Sequence, residues 1–97
     1  MFEENDFGKP ISEQMSTILR RNTDKDDLAN IASKTDISFS TIRDVLYRTN
    51  SLTKTNSRAI KLLIRTAFEN SFAKQLQAEG DKLYLDQFIQ YENFNRF

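Results

Sequence analysis

The chain has 97 residues with 14 Lys/Arg and 14 Asp/Glu, 38% apolar residues, eight Phe and three Tyr, enough for one modest core and one small domain. It has no Cys and no His, which excludes disulfides, thiol chemistry, Ser-His and Cys-His catalysis and Cys-ligated metal sites. Two Gly and one Pro leave no room for a phosphate-cradling glycine loop, and no apolar run approaches the ~20 residues of a membrane span.

Residues 1–10, MFEENDFGKP, read as a flexible acidic arm punctuated by Gly8 and Pro10. From Ile11 to about Arg21, the apolar positions Ile11, Met15, Ile18 and Leu19 share one helical face. Asn22-Thr23-Asp24 then reads as a break. Asp24 can cap a second helix, whose first turn carries Asp26 and Asp27 and whose inward face is Leu28, Ile31 and Ala32. A turn follows at Thr35-Asp36-Ile37. Ser38 is a suitable N-cap for a third helix over about Phe39–Tyr47, with Ile42, Val45 and Leu46 inward.

After the polar loop Thr49-Asn50-Ser51, Thr53 can cap a fourth helix. Its apolar residues Ile60, Leu63, Ile64, Ala67, Phe68, Phe72 and Leu76 extend over roughly 25 residues, long for so small a domain. Such a helix either breaks near Asn70-Ser71 or projects beyond the core. Gly80 and Asp81 read as a stop and a new cap, with a last helix over about Lys82–Tyr91; the alternation Leu83-Tyr84-Leu85 admits a strand, but helix is preferred. The expected fold is all-α, with four to five helices. Its expected domains are the arm (1–10), a helical domain (11–66) built around the turn at Thr35-Asp36-Ile37, and an aromatic-rich helical segment (67–97).

The zero net charge is unevenly distributed. Residues 1–19 carry one Lys against four acids (net −3), residues 20–65 carry ten Lys/Arg against five acids (net +5), and residues 66–97 carry three against five (net −2). The basic middle contains the most informative stretch, LANIASKTDISFSTIRDVLYR, over residues 28–48. A pair of helices meeting at a tight turn needs a small residue at the contact, here Ala32. Four residues on it needs a turn residue tolerant of left-handed geometry, here Asp36, and then a sealing apolar residue, here Ile37. Ile42 and Val45 supply the apolar positions of the second helix.

This stretch resembles the helix-turn-helix of bacterial and phage transcription regulators, and most of all the LacI-type headpiece and the Cro/repressor-like domains. The likeness runs without a gap over about residues 26–65, through the recognition helix, a short loop, and the Leu52-Thr53 pair before the next helix. Asp36 departs from the Gly usual at the turn, and Asp44 stands where the family often carries a polar donor. The first helix has a counterpart only in the Cro-like form.

The resemblance implies that the third helix enters the major groove of double-stranded DNA. Candidate base contacts are then Phe39, Ser40, Thr41, Arg43, Asp44 and Tyr47, with Arg43 suited to guanine and Asp44 able to accept from a cytosine amino group but repelled by phosphates. Phe39 has three alternatives: a base contact, a partner contact, or a place in the core. Candidate phosphate contacts are Lys34, Ser38, Arg48, Thr53, Lys54 and Arg58. Arg58, Lys61 and Arg65 form a basic stripe that can equally be a solvated face.

The aromatic tail exceeds what a core of this size can bury, so a homodimer face is expected at Phe68, Phe72, Leu76, Leu85, Phe88 and Ile89, with room for a protein partner. The functional expectation is a non-enzymatic, sequence-specific DNA-binding regulator in the cytoplasm of a bacterial or phage-infected cell, without metal, cofactor or membrane. The alternative is a structural or adaptor protein, for example a small phage-particle component, using the helices for protein contacts.

Overall fold

In the computed structural model, which describes residues 1–95 and side chains as far as residue 92, four α-helices follow one 3-10 turn: η1 (Glu4–Asp6), α1 (Glu13–Asn22), α2 (Lys25–Thr35), α3 (Phe39–Leu46) and α4 (Ser57–Asn95). The fold is all-α as expected. There is no strand among the described residues, and Leu83–Leu85 lies within α4. No helix of the described residues is long and apolar enough to cross a membrane.

Local chemistry accounts for the starts of α1, α2 and α3. Ser12 Oγ accepts the Met15 amide at the start of α1. At α2, Asp24 and Asp27 form a capping box: the Asp24 carboxylate accepts the Asp27 amide and the Asp27 carboxylate accepts the Asp24 amide. Ser38 Oγ accepts the Thr41 amide at α3. Thr53 and Asn56 make the same reciprocal pair, but one turn before α4, which begins only at Ser57.

The core is the first third of α4 clasped by the other helices. Ala59, Ile60 and Leu63 are fully buried with Ala67 close behind, and they meet Leu19, Leu28, Ile31, Ile37, Ile42, Val45, Leu46 and Leu52. α1 and α2 both pack on α4, and α3 closes against α2 and the start of α4. On α1 the expected face needs a correction. Ile11 and Leu19 are buried and Met15 is half-buried, but Ile18 is 41% exposed, and Ser16 takes the inward position instead. Its hydroxyl donates to the Leu46 carbonyl at 2.6 Å, so a buried polar group satisfies the end of α3.

Two further expectations are corrected. The arm over residues 1–10 is held to the body: Gly8 N–H donates to the Leu52 carbonyl, Leu52 N–H donates to the Lys9 carbonyl, and Phe2 and Phe7 pack half-buried against the core. Gly8 has a φ of +86°, which brings the chain round to Leu52. The fourth helix neither breaks at Asn70-Ser71 nor stops at Gly80. Asn70 Nδ2 donates to the Asn22 carbonyl and to the Asp27 carboxylate, and Lys74 Nζ donates to the Arg21 carbonyl. These bonds tie side chains of α4 to the last carbonyls of α1 and to the first turn of α2 as α4 leaves the core. Gly80 keeps helical geometry. Glycine in a helix costs only ~1 kcal/mol relative to alanine, which one residue in so long a helix can absorb. α4 therefore crosses the expected domain boundary at 66/67, and the molecule measures 67 × 26 × 20 Å.

Asp36, which ends α2, has a left-handed backbone (φ 57°, ψ 23°). That geometry is cheaper for glycine than for aspartate. Asp36→Gly should raise stability by about 0.5–1 kcal/mol and Asp36→Val should lower it by about 1–2 kcal/mol, both read from urea denaturation.

Candidate nucleic-acid interface

α2 and α3 meet across a three-residue turn. Asp36 bends the chain, Ile37 is buried and Ser38 starts the next helix. Thr35 stabilises the corner: its hydroxyl donates to the Ile31 carbonyl at 2.7 Å and accepts the Ile37 amide. With Ile42, Val45 and Leu46 inward, α3 presents Ser40 and Arg43 to solvent, and Tyr47, the residue that follows it, is exposed as well.

The six residues proposed for base contact do not all have equal access. Ser40, Arg43 and Tyr47 are exposed, whereas Phe39, Thr41 and Asp44 are half-buried. Phe39 packs against the core, which settles its position without removing it from the surface: it also lines a cleft of about 470 Å³ between α1, α2 and α3. Thr41 Oγ1 accepts the Ser38 hydroxyl. Arg43 lies 3.4 Å from Asp44, an exposed pair of little energetic weight, so Asp44 partly neutralises the cation beside it.

The cleft gathers groups from three helices. Arg20 of α1 holds its guanidinium 5.1 Å from the Tyr47 ring centroid, and Lys25 of α2 and Arg43 of α3 complete a set of three cations around Phe39 and Tyr47. Asp24 also lines it, with one carboxylate oxygen engaged by the Asp27 amide. Arg20 and Lys25 line the cleft although neither is among the candidate residues of the sequence. Each is an ordinary exposed cation in its own helix, and only the packing of α1 and α2 beside α3 sets them around one cleft.

The proposed phosphate contacts divide. Lys34, Lys54 and Arg58 are exposed, Lys34 in the last turn of α2, Lys54 in the turn before α4 and Arg58 in the first turn of α4, and none lines the cleft. Ser38 caps α3 and Thr53 pairs with Asn56, so both hydroxyls serve local structure. Arg48 has a structural role as well. It follows α3 with a left-handed φ of 66°, and its Nε donates to the Ile11 carbonyl at 2.7 Å while Nη1 reaches Glu13 at 3.3 Å. The proposed oligomer residues Phe68, Phe72, Leu76, Leu85, Phe88 and Ile89 all lie exposed along α4.

In comparisons with protein-family models, with curated proteins and with solved structures, nothing matches this chain.

Arg48→Ala should lower stability by about 1–2 kcal/mol in chemical denaturation, because the Ile11 carbonyl loses a charged donor. A variant as stable as the parent would return Arg48 to the pool of surface cations.

Proposed function

We propose that this chain is a non-enzymatic, sequence-specific DNA-binding protein, a transcription regulator of bacterial or phage type acting in the cytoplasm. The observation that carries this reading is the cluster of Arg20, Lys25 and Arg43 around Tyr47 and Phe39, beside the exposed side of a helix that follows a tight left-handed turn. α3 is short, is stabilised on one side by Ile42 and Val45, and exposes small polar and cationic groups on the other. Those are the groups that read base edges in a major groove. Arg43 is assigned to guanine and Ser40 to either base type, and Phe39 can pack on a thymine methyl. Arg20 and Lys25 join Lys34 as phosphate contacts, positioning without specifying. Two copies of the chain would present two such helices to successive turns of a duplex.

A second reading, a structural or adaptor protein, is favoured by Asp24, Asp26 and Asp27 at the start of α2 and by Asp44 on α3, all of which repel phosphates. Binding to a pool of duplex DNA across a salt series separates the two. The regulator reading expects an enriched sequence and an affinity falling with salt at a log–log slope of roughly −0.9 per phosphate neutralised. No binding at low salt leaves the adaptor. Arg43→Ala should cost about 1–3 kcal/mol and relax base preference at one position of the selected site. Uniform weakening over all sequences would make Arg43 a phosphate contact.

A further inference from the structure

Two global measurements show that α4 carries far more surface than a lone folded chain of this size. The accessible surface is 7373 Å², whereas a folded monomer of 11.4 kDa exposes roughly 5,800 Å². The radius of gyration is 19.3 Å, against about 12.5 Å for a compact chain of this length. The excess lies in α4 beyond Ala67, where every described position from Ser71 to Glu92 is exposed. It amounts to roughly 1,600 Å² per chain, twice the ~800 Å² per partner of a standard interface.

Of the nine large apolar side chains exposed on this helix beyond Ala67 among the described residues, five fall on one row, and Leu83, Leu85, Ile89 and Tyr91 lie off it. Side chains four residues apart form rows inclined at about 26° to a helix axis. One such row of α4 is Phe68, Phe72, Leu76, Gly80, Tyr84 and Phe88, with no charge in it, and its five large side chains are 52–69% exposed. The row on the opposite side holds Asn70, Lys74, Ala78, Lys82, Asp86 and Gln90. The apolar row is also nearly symmetric about its middle. Leu76 and Tyr84 stand four residues either side of Gly80, and Phe72 and Phe88 stand eight. Gly80 itself is a helical glycine with open space where its Cβ would be, so nothing within the chain requires it.

We infer that α4 is the docking surface for a second copy of this chain, the two helices crossing at Gly80 at about 50° with their apolar rows packed side by side. In an isologous two-fold contact residue i of one copy meets residue j of the other and j meets i, so a crossing at Gly80 sets each flank of the row against the partner's row. Absence of a side chain at the centre lets the backbones approach, so that Leu76, Tyr84, Phe72 and Phe88 interleave around it. The charged row stays in water on the far side. The pairing stands apart from the DNA reading and holds whether or not the chain binds a duplex.

Sedimentation equilibrium of the full chain tests it. The parent is expected at twice 11.4 kDa in the micromolar range. Gly80→Leu is expected to raise the dimer Kd at least tenfold, although leucine favours the helix more than glycine does. Ala78→Leu adds bulk to the opposite row and is expected to leave Kd within twofold. Circular dichroism is expected to show equal helix content in all three proteins. A parent that stays monomeric at 100 µM would overturn the inference. So would an unchanged Kd for Gly80→Leu, or a loss as large for Ala78→Leu.

Discussion

Everything in this molecule depends on the burial of the first three turns of α4. Ala59 and Ala67 keep that surface low and Ile60 and Leu63 fill the space between the other helices, so α1 and α2 can both lie against one helix. α3 has no comparable bed of its own. It is held by Ile42, Val45 and Leu46 against the groove that α1, α2 and α4 leave, and by two polar ties, the Ser16 hydroxyl on the Leu46 carbonyl and the Arg48 guanidinium on the Ile11 carbonyl. Each full burial of an aliphatic side chain contributes about 1.5–3 kcal/mol, so the loss of α4 from the centre would release all three shorter helices together.

The same anchoring explains how α4 can continue for 39 residues. A helix in water is limited by the cost of nucleation, and the buried turns supply a nucleus that later turns only extend. Asn70 and Lys74 prolong the support by bonding the last carbonyls of α1, after which the helix is on its own. Along the exposed side of the helix the side chains interact with one another, as in the Phe68–Phe72 and Tyr84–Phe88 ring pairs, and their outer faces remain wet. One element thus serves as the core of the head and as an apolar surface outside it.

The cluster of cations at α3 depends on the same arrangement. Arg20 comes from the end of α1, Lys25 from the start of α2 and Arg43 from α3, and they converge because all three helices are set by α4. The cluster is not purely basic. Asp24 caps α2 at its edge and Asp44 sits beside Arg43, which tempers the field any anion would meet. A surface so balanced favours recognition by placed groups over adhesion by charge alone.

Local chemistry made most of the head legible from the residues in order. Caps at Ser12, Asp24 and Ser38 mark helix starts because their side chains bond amides within the next turn, and the 3.6-residue spacing of Leu28/Ile31 and Ile42/Val45 marks the inward faces. The turn at Asp36 was legible for the same reason, since a short polar side chain tolerates left-handed geometry. What the sequence could not decide is whatever depends on a distant partner. Ser16 displaced Ile18 from the core because a carbonyl 30 residues away needed a donor, Arg48 became a strut because its partner is 37 residues back, and Gly80 remained helical because an anchored helix can absorb one poor residue. The sequence by itself determined where α1, α2 and α3 start and which faces of α2 and α3 are apolar, because those follow from contacts within a few residues. Tertiary structure alone decided which polar groups are structural, which cations share a cleft, and where the fourth helix leaves the core, because each of those is set by groups far apart in the chain.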